Sequence, residues 1–208
     1  MHQKIKNIIF DLGGVIININ PQITIQKFKA LGIHNIEKTY KSLMHINVFK
    51  KYEIGHILTE EFISSLKKTS LNDNIKTSEI KDAWNSMLRD LPLKRIDLLK
   101  KLKKRYHLFL LSNTNELHIE AFNNYLHHTL QISMFETLFK NIYYSHEIHM
   151  RKPDDEVFEY VMSENKLQKE ETLFIDDRED NIITAEKLGI NTLHIKNGME
   201  LTEVMKDY

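Results

Sequence analysis

The chain contains no cysteine. Disulfides, thiol chemistry and cysteine-based zinc sites are thereby excluded, and the absence fits a cytoplasmic location. Charge of one sign is also lacking: 29 basic residues meet 29 acidic ones, for a formal net charge of zero. A dedicated nucleic-acid binder would carry a basic surplus, so no nucleic-acid partner is expected. The densest basic run, Lys100-Lys101-Leu102-Lys103-Lys104-Arg105, reads as the solvated end of an amphipathic helix. No apolar stretch is long enough to cross a bilayer, and no membrane partner is expected. The N-terminus is basic and then apolar. Asp11 interrupts that run and no small-residue cleavage site follows, so a signal peptide is not expected. Internal repeats, low-complexity tracts and Gly/Ser linkers are absent as well.

With 208 residues, the chain can form one ordinary domain or one domain with a large insertion. Hydrophobic residues at 41% and charged residues at 28% suit a globular protein. The first apolar run, Ile5 to Phe10, reads as a strand. From Pro21 to about Leu88 only helical patterns occur: Pro21 to Leu31, stopped by Gly32; Ile36 to Met44; Val48 to Tyr52; a helix through Leu66 with Thr59 as N-cap; and Ser78 to Met87. From Leu93 onward helices and strands alternate. The expected strands are His107 to Leu111, Asn141 to Ser145, Thr172 to Ile175 and Thr192 to Ile195. The expected helices are Leu93 to Arg105, Glu116 to Leu126, Asp154 to Asn165, Asn181 to Leu188 and Leu201 to Lys206. Alternation of this kind predicts right-handed βαβ units around a parallel sheet. The fold class is therefore α/β, interrupted after its first strand by an all-helical insertion.

Four segments fall at the carboxyl ends of expected strands, where open α/β sheets bind ligands. They are Asp11-Leu12-Gly13-Gly14, Ser112-Asn113-Thr114-Asn115, Arg151-Lys152-Pro153-Asp154, and Asp176-Asp177-Arg178-Glu179-Asp180-Asn181. Buried, clustered carboxylates are costly unless a cation or a phosphoryl group compensates. Together the segments offer a carboxylate nucleophile, a hydroxyl, an amide, a cation and an acidic pair. That set suits phosphoryl transfer to an enzyme aspartate, with Mg²⁺ offsetting the negative charge.

In order and spacing, the four segments resemble the haloacid dehalogenase-like hydrolase superfamily. The resemblance spans essentially the whole chain. It implies a Rossmann-like parallel sheet core flanked by helices, at 1–16 and 92–208, with an inserted α-helical cap at 17–91. It further implies Asp11 as nucleophile, Lys152 as the phosphoryl-binding and catalytic lysine, and Ser112 with the Asn113 N–H as substrate contacts. Asp11, the Gly13 carbonyl, Asp177 and Asp176 (directly or through water) would hold Mg²⁺. The strings Phe-Asp-Leu-Gly-Gly-Val, Leu-Ser-Asn-Thr-Asn, Arg-Lys-Pro-Asp and Tyr52-Glu53-Ile54-Gly55 are similar to the bacterial α-D-glucose-1-phosphate phosphatase type. An Mg²⁺-dependent phosphatase on a small phosphorylated metabolite, with sugar phosphates leading, is the expected function. The expected assembly is a monomer or a homodimer. The rivals are a 2-haloacid dehalogenase and a catalytically silent binding protein of the same fold.

One departure stands out. Most phosphatases of the superfamily carry a second aspartate two residues after the nucleophile, as general acid and base. Here that position is Gly13. Either the leaving group is good enough to depart without acid help, as an anomeric hydroxyl is, or a cap residue serves, with Glu53 or a nearby histidine as candidates. Asn181 occupies the position where the family often has a further acid. Several residues also have plain structural readings. Ser112 and Asn115 can cap a helix. Glu179 and Asp180 suit a first helical turn. His146 and His149 lack zinc-protease spacing and read as surface or loop residues. His127-His128 reads as a solvated helix end. Trp84 and Phe62 read as packing residues, although an aromatic in a cap can also face a sugar.

Overall fold

The computed structural model describes residues 5–33 and 48–208. Five strands form one parallel sheet: β1 (Asn7–Phe10), β2 (His107–Ser112), β3 (Asn141–Tyr144), β4 (Thr172–Asp176) and β5 (Asn191–His194). Their spatial order is β3-β2-β1-β4-β5. The central β1 pairs with β2 and β4 at once, Phe10 standing beside Leu110 and Ile175. The chain winds outward on one side of β1 through β2 and β3, then returns to the other side through β4 and β5. Such a reversal opens a crevice at the carboxyl ends of the strands next to it.

The sheet is buried on both faces, which explains why its strands are nearly continuous apolar runs. Side chains alternate across it. Ile8, Phe10, Leu108, Leu110, Leu173 and Ile175 enter one core layer. Ile9, Phe109, Leu111, Phe174 and Tyr143 enter the other. Helices Leu93–Leu102, Glu116–Asn124, Asp155–Glu164, Glu179–Lys187 and Leu201–Val204 accompany the strands. The α/β class with a parallel sheet is as expected, and the strand ends fall within two residues of the expected ones.

Between β1 and β2 the described residues form helices Pro21–Ala30, Val48–Glu53, Thr59–Thr69 and Thr77–Asn85. The expected helix from Ile36 to Met44 lies outside the described residues. These helices have a core of their own, built on Phe28, Phe49, Phe62, Ile80 and Trp84. Tyr52 stacks on Phe62 with ring centroids 4.3 Å apart, and Phe49 and Trp84 pack around the same ring. Burying each such side chain contributes roughly 1.5–3 kcal/mol, so Phe62 is a packing residue.

The insertion leaves and rejoins the sheet domain along two adjacent segments. The Asn18 N–H donates to the Asp90 carbonyl at 3.0 Å, the Arg89 N–H to the Asn18 carbonyl at 2.9 Å, and the Asn20 N–H to the Met87 carbonyl at 2.8 Å. Arg95, which is buried, clamps this crossing. Its Nη1 donates to the Ile16 carbonyl and Asn18 Oδ1, while Nε and Nη2 fork onto Glu200.

Some local expectations differ from what is observed. Thr59 is not the N-cap of its helix. The cap is Leu58, whose N–H donates to the Glu61 carboxylate at 2.8 Å. The Thr59 hydroxyl instead meets Tyr52 Oη at 2.7 Å and donates to Glu116. The helix Glu116–Asn124 runs into a π-helical turn at Tyr125–Thr129, where His127 and His128 are exposed as expected. Ser145–Ile148 is a short helix rather than a loop. His149 is exposed, as expected, and donates from Nδ1 to the Ile54 carbonyl at 2.8 Å; His146 is half-buried, its carbonyl beside Gly55.

Candidate active site

The four segments meet above the carboxyl edge of the sheet, around a cavity of about 250 Å³. Asp11, Gly13, Asn113, Thr114, Asn115, Arg151, Lys152, Asp177, Arg178 and Asn181 line it from the sheet domain. Ile19, Pro21, Glu53, Trp84 and Met87 line it from the insertion, and His118 stands between the two.

Lys152 organises the floor. Its Nζ donates to Asp11 Oδ1 at 2.8 Å, Asp176 Oδ2 at 2.7 Å and the Leu111 carbonyl at 2.8 Å. All three N–H bonds of the ammonium are thus spent, as a fully buried charge requires. Asn113 fixes the lysine's backbone twice: its Nδ2 donates to the Lys152 carbonyl at 2.7 Å and its Oδ1 accepts from the Lys152 N–H at 2.9 Å. The segments after β2 and β3 are locked together this way. Ser112, by contrast, is buried at the last position of β2 and is not among the cavity-lining residues.

Asp176 is also fully committed. Its Oδ1 accepts from the Arg178 N–H at 2.8 Å and from Asn181 Nδ2 at 2.9 Å, and its Oδ2 accepts from Lys152. Asp177 is half-buried and faces the cavity. Gly14 makes room for it: the glycine has φ +79°, and a Cβ there would lie 2.4 Å from Asp177 Oδ2. Both the left-handed backbone and the close approach demand glycine. Glu179 and Asp180 occupy the first turn of their helix, as expected, and Asp180 pairs with Arg178 at 2.6 Å.

The electrostatics of the floor are unbalanced. Oxygens of Asp11, Asp176 and Asp177 lie within 4.8 Å of one another; Lys152 is paired with two of these carboxylates, and Arg178, itself paired with Asp180, adds a smaller attraction on Asp177. Burial drives Asp11 up to about 7; Lys152 pulls the other way, and Asp176 and Asp177 add to the rise. Burial and Asp176 likewise raise Asp177. The buried Asn181 Oδ1 has no hydrogen-bond partner among the described residues. Clustered hard oxygens, two excess negative charges and an unpaired amide oxygen together fit a small divalent cation such as Mg²⁺.

His118 was not singled out in the sequence. It is buried, its ring is stacked on Trp84 with centroids 4.8 Å apart, and it lines the cavity. Asn115 is the N-cap of the helix: its Oδ1 accepts from the His118 N–H and from Trp84 Nε1, both at 3.1 Å. Trp84 therefore faces the cavity with its indole N–H already engaged. In the sequence Asn115 and His118 stand three apart at a helix start, but Trp84 lies far from both, and nothing local joins the three.

Glu53, the expected substitute acid or base, also lines the cavity. Its Oε1 accepts from Arg151 Nε at 2.5 Å, and its carbonyl accepts from Ser145 Oγ at 2.6 Å.

The haloacid dehalogenase-like hydrolase family model matches residues 8–195, and the chain belongs to that family. Among characterised relatives, a D-ribitol-5-phosphate phosphatase of Bacteroides thetaiotaomicron is 29% identical over 205 residues, covering 97% of this chain and 98% of the relative. A solved structure of a family enzyme from the same organism, in complex with magnesium and inorganic phosphate, superposes with a TM-score of 0.84 at 34% identity, over 97% of this chain and 99% of that one. A family hydrolase of Porphyromonas gingivalis reaches a TM-score of 0.87 at 31% identity, over 99% of this chain and 98% of that one. Two dehalogenase structures, at 14–15% identity and TM-scores of 0.54 and 0.59, share the fold alone. No helix among the described residues is long and apolar enough to cross a membrane.

Proposed function

We propose that the protein is an Mg²⁺-dependent phosphatase acting on a small phosphorylated sugar or polyol. One observation carries this reading: Lys152 Nζ bridges Asp11 and Asp176 at the floor of a cavity that also holds Asp177. Asp11 Oδ attacks phosphorus, the ester P–O bond breaks, the departing oxygen takes a proton from water to leave as the alcohol, and an aspartyl-phosphate forms. Water then cleaves it, releasing phosphate and restoring the carboxylate. Lys152 holds the nucleophile in place and balances charge on the phosphoryl oxygens. Asp11, Asp177 and the Gly13 carbonyl would hold Mg²⁺, with Asp176 meeting the ion through water because protein donors occupy its oxygens. Bound there, Mg²⁺ supplies Lewis-acid stabilisation of the phosphoryl group. The Asn113 N–H completes the anion-binding wall, with Ser112 buried behind it.

Gly13 offers no side chain for proton transfer, and the Glu53 carboxylate is held by Arg151. A sugar 1-phosphate expels an anomeric hydroxyl, which needs proton transfer less than a primary alcohol does. The relative named for D-ribitol 5-phosphate acts on a primary ester. Phosphate release from D-ribitol 5-phosphate, glucose 1-phosphate and glucose 6-phosphate, with Mg²⁺ or with EDTA, tests both points. Metal-dependent release that vanishes in Asp11→Asn is expected, and the ranking of the three reads the leaving group. No release from folded wild-type protein would refute the phosphatase reading in favour of a dehalogenase or a silent binding protein.

A further inference from the structure

We infer that the Glu53–Arg151 pair selects phosphomonoesters whose leaving group is uncharged and hydroxylated, and rejects those carrying a second anion. This inference rests on the phosphatase reading and names its substrate class. Charge in the cavity is the starting point. Every cation lining it has an acidic partner: Lys152 has Asp11 and Asp176, Arg151 has Glu53, and Arg178 has Asp180. The surplus positive charge therefore arrives with the divalent ion, at the floor, where one phosphoryl dianion uses it. Among the described residues, no unpaired cation lines the cavity to receive a carboxylate or a second phosphate.

The insertion's side of the cavity agrees. Ile19, Pro21, Trp84 and Met87 are apolar or aromatic, and Glu53 is the one charged residue the insertion contributes. The Trp84 ring, stacked on His118, presents its edge beside these aliphatic groups, and an apolar wall of this kind suits the C–H surface of a sugar or polyol. Glu53 Oε1 is bonded to Arg151 Nε, while its Oε2 takes part in no hydrogen bond among the described residues. An ionised carboxylate is acceptor-only, so that oxygen accepts a hydroxyl hydrogen and repels an anion. The pair is well fixed. Ser145 Oγ donates to the Glu53 carbonyl and accepts from the Thr114 N–H. At Gly55, with φ +67°, a Cβ would lie 2.1 Å from the His146 carbonyl. Both contacts press the end of helix Val48–Glu53 against the sheet domain.

A matched pair of substrates isolates the effect: D-ribitol 5-phosphate and 5-phosphoribonate, which differ by a terminal hydroxymethyl against a carboxylate. Wild-type protein with Mg²⁺ should prefer the alcohol by at least about tenfold in kcat/KM, since like charges face each other in the alternative. Glu53→Gln removes the repulsion and leaves Arg151 without a counter-charge, so that its remaining N–H groups can receive the carboxylate. The preference should shrink at least about tenfold, with kcat/KM for 5-phosphoribonate rising in absolute terms. A merely structural role for Glu53 would not raise it. Adding Arg151→Met should cancel that gain. A wild-type ratio near one, or equal losses on both substrates in Glu53→Gln, overturns the inference. If wild-type protein releases phosphate from neither compound nor from p-nitrophenyl phosphate, the phosphatase reading falls instead. Calorimetric binding of the two compounds then decides the selectivity, and equal affinity would overturn it.

Discussion

Lowering the pH from 7 to 5 should cost the fold about 2 kcal/mol through His118 alone. Trp84 Nε1 and the His118 backbone N–H can only donate, so the Asn115 oxygen must face them both. That orientation turns Asn115 Nδ2 toward His118 Nδ1, 3.1 Å away, and makes Nδ1 an acceptor. The ring proton therefore sits on Nε2, which donates to the Trp84 carbonyl at 3.2 Å. Protonating Nδ1 would set N–H against N–H inside a buried junction. Burial already lowers His118 from 6.5 to about 4, against a smaller opposing effect of the Trp84 carbonyl. Because the folded pKa is depressed, the unfolded chain takes up the proton first as pH falls. Stability is whole above about pH 6.5 and declines through the window down to about 4, where the loss reaches roughly 3 kcal/mol. Urea unfolding followed by circular dichroism and by Trp84 fluorescence, between pH 7 and pH 5, measures the slope. The 2 kcal/mol corresponds to a Tm drop of roughly 4–8 °C for a chain of this size. A His118→Gln variant subtracts every other titrating group. Parallel stability curves for wild type and variant would refute the assignment of the neutral Nε2 tautomer.

Three further outcomes are expected. Mg²⁺ at a hundred times its Kd should stabilise the wild-type protein by about 2.7 kcal/mol, raising Tm by roughly 5–10 °C; Asp177→Asn should lose most of that response in a thermal scan. Lys152→Met removes the only cation ion-paired with Asp11 and Asp176 among the described residues, and urea unfolding in EDTA should show a loss of about 3–5 kcal/mol. Gly14→Ala forces a methyl group onto Asp177 at a left-handed position, costing roughly 1–3 kcal/mol. Calorimetric Mg²⁺ titration of that variant should show weakened binding, and unchanged binding would contradict the Gly14–Asp177 contact.

The sheet was legible because its strands are buried on both faces. Runs such as His107 to Leu111 then carry a signal that neighbouring sequence does not blur. The cavity floor was legible because a carboxylate at a strand end is locally odd: Asp11 and Asp176 could be picked out before their meeting was known. Where reading failed, a distant partner had overridden a local rule. Thr59 looks like a helix cap, but Tyr52 and Glu116 claim its hydroxyl, so Glu61 satisfies the helix end instead. His146 looked like a surface residue, but beside the turn at Gly55 it is half-buried, whereas His149 is exposed as expected. Glu53 stood out as a string, yet its partner Arg151 is 98 positions away, and nothing local announces the pairing. His118 escaped notice because a lone histidine on a helix carries no pattern. Its meaning came from Asn115 and Trp84 together.

The stitched crossing at Asn18 and Arg89 makes the chain behave as a loop pinched at its neck. The two ends of the insertion are hydrogen-bonded to each other and clamped by Arg95. Beyond that neck the inserted helices touch the segments after β2 and β3 again, through Trp84 on Asn115 and Glu53 on Arg151. Residues of the insertion outside the neck and these bridges can therefore change without removing a contact to the phosphoryl-transfer floor, whereas a change at Trp84 or Glu53 reaches it directly.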